Sequence, residues 1–203
     1  MTSKMIVAKQ VLKRLREDAA SQRMIYNMLA SKKLFPPKLN VNKFAIGSVI
    51  EELFTRQVKS YDMQCENVSA GSVEIDVVIE GCGYSIKSTQ SVSDIILENY
   101  RGKQGEMKES CAPTFWILLE PNQGRIIYFD NETINRCAYA GDIYKQNDST
   151  LSLRAKFLKY MLTVVDSECT VSYDVPDLPQ LEPLSLGSIL ADVVEQRALK
   201  GEV

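Results

Sequence analysis

The chain contains no histidine. That absence excludes a Ser-His-Asp or Cys-His pair and an imidazole general base. Any metal site must rest on carboxylates and carbonyls, oxygen ligands that suit hard ions such as magnesium or manganese. Cysteine is sparse and scattered. Cys65, Cys82, Cys111, Cys137 and Cys169 form no C-x-x-C pair and are odd in number. A zinc finger needs closer ligand spacing, and a disulfide scaffold needs more cysteine per residue. Buried reduced thiols are the expectation. No apolar run approaches the roughly 18 residues that span a bilayer, so no membrane partner is expected. The N-terminal SKMIVAKQVLKRLRED lacks both a long apolar centre and a small-residue cleavage site. It does not read as a secretory signal, and a cytoplasmic location is the expectation.

What is present suits one globular domain. The 203 residues are 45% apolar and 25% charged, an ordinary composition with enough apolar material for a core. Net charge is −2 but uneven: residues 1–59 hold 12 Lys and Arg against 4 Asp and Glu, and the remainder hold 12 against 22. A basic N-terminal third suggests either a localised anion-binding face or an ordinary solvated helix surface.

Apolar residues recur at three- and four-residue steps through 4–34, as Val7, Val11, Leu12, Leu15 and Ala19, then Ile25, Met28 and Leu29. Ser21 is a candidate cap for a second helix, and Pro36-Pro37 stops the run. Residues 42–59 predict a further helix, with an Ile46, Val49, Ile50, Leu53, Phe54 stripe, Asn42 as cap and Gly47 inside. The period then becomes strand-like. Strands are expected over 63–69, over 73–80 and over 84–88, the last two joined by a Gly81-Cys82-Gly83 turn. Residues 91–101 predict a helix. Thr114–Glu120 and Arg125–Asp130 predict strands, with Phe115 and Trp116 in the core. A helix over 151–165, an edge strand over 169–175, a linker and a terminal helix over 186–199 complete the chain. Helix, strands, helix, strands, helix reads as an α/β, or mixed α+β, domain around a central sheet.

Three residues stand out between Gly47 and Gln90. Glu51 lies on a helix, Asp76 within a strand, and Lys87 on the next strand. Hydrolysis of a phosphodiester with a divalent ion needs carboxylates for the ion, which generates the nucleophile and offsets charge on the phosphate. A nearby lysine can orient the attacking water or neutralise the forming charge. An aspartate inside VEIDVVIE is disfavoured by strand propensity, which argues for a role beyond structure.

This pattern resembles the PD-(D/E)xK nuclease superfamily, the fold of type II restriction endonucleases and archaeal Holliday-junction resolvases. The resemblance covers about 45 residues. Gly47-Ser48-Val49-Ile50-Glu51 matches the glutamate helix, SAGSVEIDVVI with Asp76 the aspartate strand, and Ser85-Ile86-Lys87 the (D/E)-x-K tripeptide. Ser85 stands at a position that is usually acidic. The resemblance implies a restriction-endonuclease-like mixed sheet flanked by helices, with extra helices at both termini. With the charge and linker pattern, the expected division is a basic helical region at 1–41, a nuclease core at 42–175, and a linker and helix at 176–203, compact together.

By the same resemblance, Glu51, Asp76 and Lys87 are the expected catalytic residues. Mg2+, with Mn2+ as a substitute, would be held by Asp76, Glu51 and the backbone carbonyl of Ile86, with Glu80 a more remote substitute acid. Double-stranded DNA is the implied substrate and a homodimer the implied assembly. Ser88, Thr89, Gln90, Arg101 and Lys103 are candidate DNA contacts, as are Lys108 and, on the first helix, Lys9, Lys13, Arg14 and Arg16. The function implied is that of a sequence-specific type II restriction endonuclease. A structure-selective resolvase and a degenerate, non-cutting DNA-binding protein are the alternatives.

Overall fold

A computed structural model describes residues 2–34, 40–68, 75–98, 112–130, 132–134, 144–146 and 150–174. The expected terminal helix over 186–199 lies outside these residues, as do Arg101, Lys103 and Lys108.

The N-terminal period resolves into helices α1 (Ser3–Glu17) and α2 (Ala20–Leu34). Thr2 caps α1 by accepting from the Met5 amide at 3.3 Å. Ser21 does not cap α2. Asp18 accepts from the Ala20 amide at 2.9 Å, while Ser21 is buried and hydrogen-bonded to the Tyr61 hydroxyl at 2.7 Å. Helix α3 (Asn40–Lys59) agrees with the apolar stripe read from the sequence.

Among the described residues nine strands follow: β1 (Cys65–Asn67), β2 (Val77–Ile79), β3 (Cys82–Thr89), β4 (Ile95–Glu98), β5 (Thr114–Glu120), β6 (Gln123–Phe129), β7 (Tyr144–Gln146), β8 (Thr150–Leu153) and β9 (Thr170–Asp174). Helix α4 (Ala155–Val164) and a 3-10 turn (Ser167–Cys169) lie between the last two. The main sheet has six strands in the order β1-β2-β3-β5-β6-β9. It is mixed: β3 and β5 are parallel and every other pair is antiparallel. A three-stranded antiparallel sheet, β4-β8-β7, forms a second unit. The domain is therefore α/β with a mixed central sheet and flanking helices.

Strand period 2 divides the core into two layers. Phe115, Ile117 and Leu119 of β5 point to the face covered by α1, α2 and α3, together with Tyr84, Ile86, Val77 and Ile79. Trp116 and Leu118 point to the other face, against Ile95, Leu153, Phe157, Leu158 and Met161. The two N-terminal helices thus share one core with the sheet. Phe115 is the hub of the first layer, with ring centroids 5.1 Å from Phe54, 5.1 Å from Tyr84 and 5.7 Å from Tyr128.

Three expectations are corrected. Residues 91–101 contain strand β4, not a helix; the β-branched Ile95 is buried opposite Leu153, and this cross-strand pairing overrides a spacing that suits either element. The helix expected over 151–165 begins only at Ala155, because Thr150–Leu153 pairs with β4. The hairpin turn is Glu80-Gly81 rather than Gly81-Cys82-Gly83. Both turn residues have positive φ, 49° and 73°, as a two-residue loop between twisted strands requires.

Gly124 of β6 sits against α2. A Cβ there would collide with the side chain of Ile25. Gly124→Ala is expected to destabilise the fold by about 1–3 kcal/mol. Urea titration checks this, and the double variant with Ile25→Ala should lose less than the sum of the two single losses, because the collision is removed.

Candidate active site

The site is built where the β2–β3 hairpin opens. The register pairs Val77 with Tyr84, yet the amide of Asp76 also donates to the Tyr84 carbonyl at 2.9 Å. Two consecutive residues address one partner, which is the pattern of a β-bulge, and bulges re-aim side chains. The Asp76 side chain then does what a further strand residue would otherwise do. Its Oδ2 accepts from the Ile86 amide at 2.6 Å and from the Ser85 hydroxyl at 2.8 Å. Lys87 Nζ stands 3.9 Å from the same oxygen. Oδ1 has no hydrogen bond or ion pair among the described residues.

Burial separates the roles of these groups. Ser85 is 6% exposed, so its hydroxyl depends on Asp76 rather than on water. The side chains of Asp76 and Lys87 are 26% and 31% exposed, open enough to meet a substrate. By register, Ser85 and Lys87 stand beside Thr114 and Trp116, on the face opposite the helical layer. Ile86 faces that layer with its side chain, and its peptide edge faces Asp76. Within an extended strand the amide and carbonyl of one residue point the same way, so the Ile86 carbonyl looks toward this edge as well.

The structure thus joins Asp76, Ser85, Ile86 and Lys87 directly. Glu51 belongs to α3, in the layer on the other face of the sheet, and is half-buried. Its carboxylate lies back over Gly47, with Oε1 3.9 Å from where a Cβ on that glycine would be. Its neighbour Glu52 is held in place, accepting from Asn67 at 2.7 Å and from Arg56 at 2.6 Å. Glu80 sits at the far end of the hairpin and accepts from the Gln64 amide at 2.8 Å, so it does not reach back to Asp76.

Among the candidate DNA contacts, Ser88 is half-buried and Gln90 exposed. Thr89 accepts from Trp116 Nε1 at 2.9 Å, which ties the end of β3 to the second layer. The basic face of α1 is largely turned to internal use. Lys9 is 2.6 Å from Glu168 and 3.4 Å from Asp166, and the Glu168 carboxylate raises its pKa above the ordinary lysine value. Arg16 donates to the carbonyls of Ser167 and Thr170 at 2.7 and 2.9 Å. Lys13 is 3.9 Å from Glu17. Lys9 and Arg16 fasten α1 to the 3-10 turn and the start of β9, a role that charge counting could not separate from anion binding, whereas Lys13 pairs within its own helix.

The described cysteines Cys65, Cys82 and Cys169 are free thiols. Burial pushes the Cys65 pKa up to about 11, which suits an inert core thiol. An open cleft of about 870 Å³ lies beside α1 and the hairpin turn, lined by Ile6, Lys13, Arg14, Tyr61, Met63 and Glu80. It holds none of the Asp76 cluster.

Among the described residues no group of three or more carboxylate, thiol or imidazole side chains converges on one point. The donor set that remains is Asp76 Oδ1 and the Ile86 carbonyl. Magnesium keeps several waters and is commonly held by one or two carboxylates plus substrate phosphate, so this sparse oxygen set fits it. No helix among the described residues is long and apolar enough to cross a membrane. The chain matches no protein-family model, no curated protein and no solved structure.

Proposed function

We propose that this protein is a magnesium-dependent endonuclease that hydrolyses phosphodiester bonds of double-stranded DNA, with Asp76 and Lys87 at the centre of its site. The observation that carries the reading is the cluster at the bulged hairpin. An aspartate oriented by Ser85 and the Ile86 amide stands beside a lysine, and both are accessible. The order of elements adds support: a glutamate-bearing helix, an antiparallel hairpin with the aspartate and lysine, and a crossover to a parallel strand. That order is what the PD-(D/E)xK resemblance anticipates.

Each group has a chemical task in this reading. Asp76 presents Oδ1, with the Ile86 carbonyl beside it, to a divalent cation. A cation held by Asp76 and the Ile86 carbonyl would supply Lewis acidity, lowering the pKa of water and offsetting negative charge on the phosphate. Lys87, at 3.9 Å, is beyond a close hydrogen bond to Asp76, so its ammonium can donate to a phosphate oxygen or hold the attacking water. Glu51, on α3 behind the other face of the sheet, stands apart from this cluster, so the proposed chemistry rests on Asp76 and Lys87. Two cuts in a palindromic duplex would require a twofold dimer, which we propose as the working assembly in a restriction-type enzyme.

One observation favours a second reading. The scarcity of convergent acids among the described residues is what a nuclease fold reduced to DNA binding would show. Incubation with mixed-sequence plasmid and with branched junctions, in magnesium and in manganese, separates the possibilities. Discrete fragments are the expected result. Cutting of junctions alone would indicate a resolvase-like enzyme. Salt-dependent DNA binding with no cutting of any substrate would overturn the catalytic reading.

A further inference from the structure

We propose that Ser85 is a positioning residue, whose hydroxyl fixes the Asp76 carboxylate so that Oδ1 alone faces the cation and a single ion is held weakly. This inference rests on the metal-dependent reading above and adds the reason why the site works with serine where an acid is usual.

A carboxylate can accept through both oxygens, and the terminal torsion of aspartate has a broad, roughly two-fold preference. Left alone, Oδ1 and Oδ2 would exchange places. In this site all the partners converge on one oxygen. Ser85 Oγ donates to Oδ2 at 2.8 Å, the Ile86 amide at 2.6 Å, and Lys87 Nζ lies 3.9 Å from it. The other oxygen is therefore held outward. The amide is part of β3, where only proline would remove it and would disrupt the strand as well, but the hydroxyl can be removed alone.

The residue type also matters. An acid at 85 would place a second carboxylate within hydrogen-bonding range of Asp76 at a position only 6% exposed. Two such carboxylates cannot both ionise without a cation between them. Serine replaces that repulsion with a donor. The metal-free site is then settled, and it lacks the second charge that would bind an ion tightly or recruit another. Partners that orient a ligand in this way change metal affinity by roughly 10–100-fold when removed.

The test is calorimetric titration of the full chain with Mn2+ alone, without DNA, for the wild type, Ser85→Ala, Ser85→Thr and Ser85→Asp. The wild type is expected to bind one ion. Ser85→Ala should weaken binding by roughly 10–100-fold, Ser85→Thr should retain it because the hydroxyl is kept, and Ser85→Asp should tighten it. Should the alanine variant fail to fold, Ser85→Cys, with its weak donor, should show the same loss. Equal affinity in the wild type and in Ser85→Ala or Ser85→Cys would overturn the positioning role while leaving the metal site intact. Absence of Mn2+ binding by the wild type would overturn the metal-dependent reading itself, and this inference with it.

Discussion

Asp76→Asn is expected to lower the rate of DNA cleavage by about 10³-fold, on the order of 4 kcal/mol in the barrier, with the melting temperature nearly unchanged. The asparagine carbonyl can still accept from the Ile86 amide and the Ser85 hydroxyl, the two bonds that hold position 76 in the hairpin. What is lost is the charge and the outward oxygen donor. Asp76→Ala should cost as much in rate and also stability, because it leaves the Ile86 amide without its partner. An unmade bond of that kind costs about 1–3 kcal/mol when buried, less here because Asp76 is 26% exposed and water can enter. Single-turnover cleavage beside thermal melts distinguishes the two variants. A wild-type rate in Asp76→Asn would contradict the assignment.

Phe115→Ala is expected to destabilise the protein by about 3–5 kcal/mol, the range for emptying a buried aromatic site. Phe115 has no exposed surface and is in ring contact with Phe54, Tyr84 and Tyr128. Those tilted contacts are each worth roughly 0.5–1.5 kcal/mol beyond area burial. Helix α3 and strands β3 and β6 each supply one aromatic wall of its site, through Phe54, Tyr84 and Tyr128. The consequence extends to the site: Phe115 is the register partner of Ile86, whose amide holds Asp76. Urea denaturation gives the magnitude. A loss below about 1 kcal/mol would mean that the first layer of the core closes around the gap far better than such sites do.

Much of this architecture was legible in the sequence because its signals are local. The stripe Ile46, Val49, Ile50, Leu53 and Phe54 gave α3. The unbroken apolar run in TFWILLE gave β5, whose burial on both faces follows from its central place in the sheet. Spacing also brought Asp76, Ser85 and Lys87 together across one hairpin. Long-range pairing was not legible. Val92, Ile95 and Ile96 suit either period, and only the distant β8 makes that segment a strand. No proline or glycine marks the break at Arg154 between β8 and α4. The turn was misplaced because Glu80, not an asparagine or glycine, takes the first left-handed position. At the site, the bulge at Asp76 and the convergence of donors on Oδ2 depend on strand register, which residue spacing does not encode. The charge of α1 was visible, but its partners Glu168 and the carbonyls of Ser167 and Thr170 are more than 150 residues away.

The proposed activity, cutting of DNA with a divalent ion at the hairpin of Asp76 and Lys87, is open to a single-tube experiment. The most direct test incubates supercoiled plasmid with the wild type and with Lys87→Ala, first in EDTA and then after excess Mg2+ is added to the same tubes. Intact plasmid is expected in EDTA for both, with conversion to linear fragments by the wild type once Mg2+ is present and no conversion by Lys87→Ala. Cleavage by Lys87→Ala at the wild-type rate, or cleavage by either protein in EDTA, would contradict the proposal.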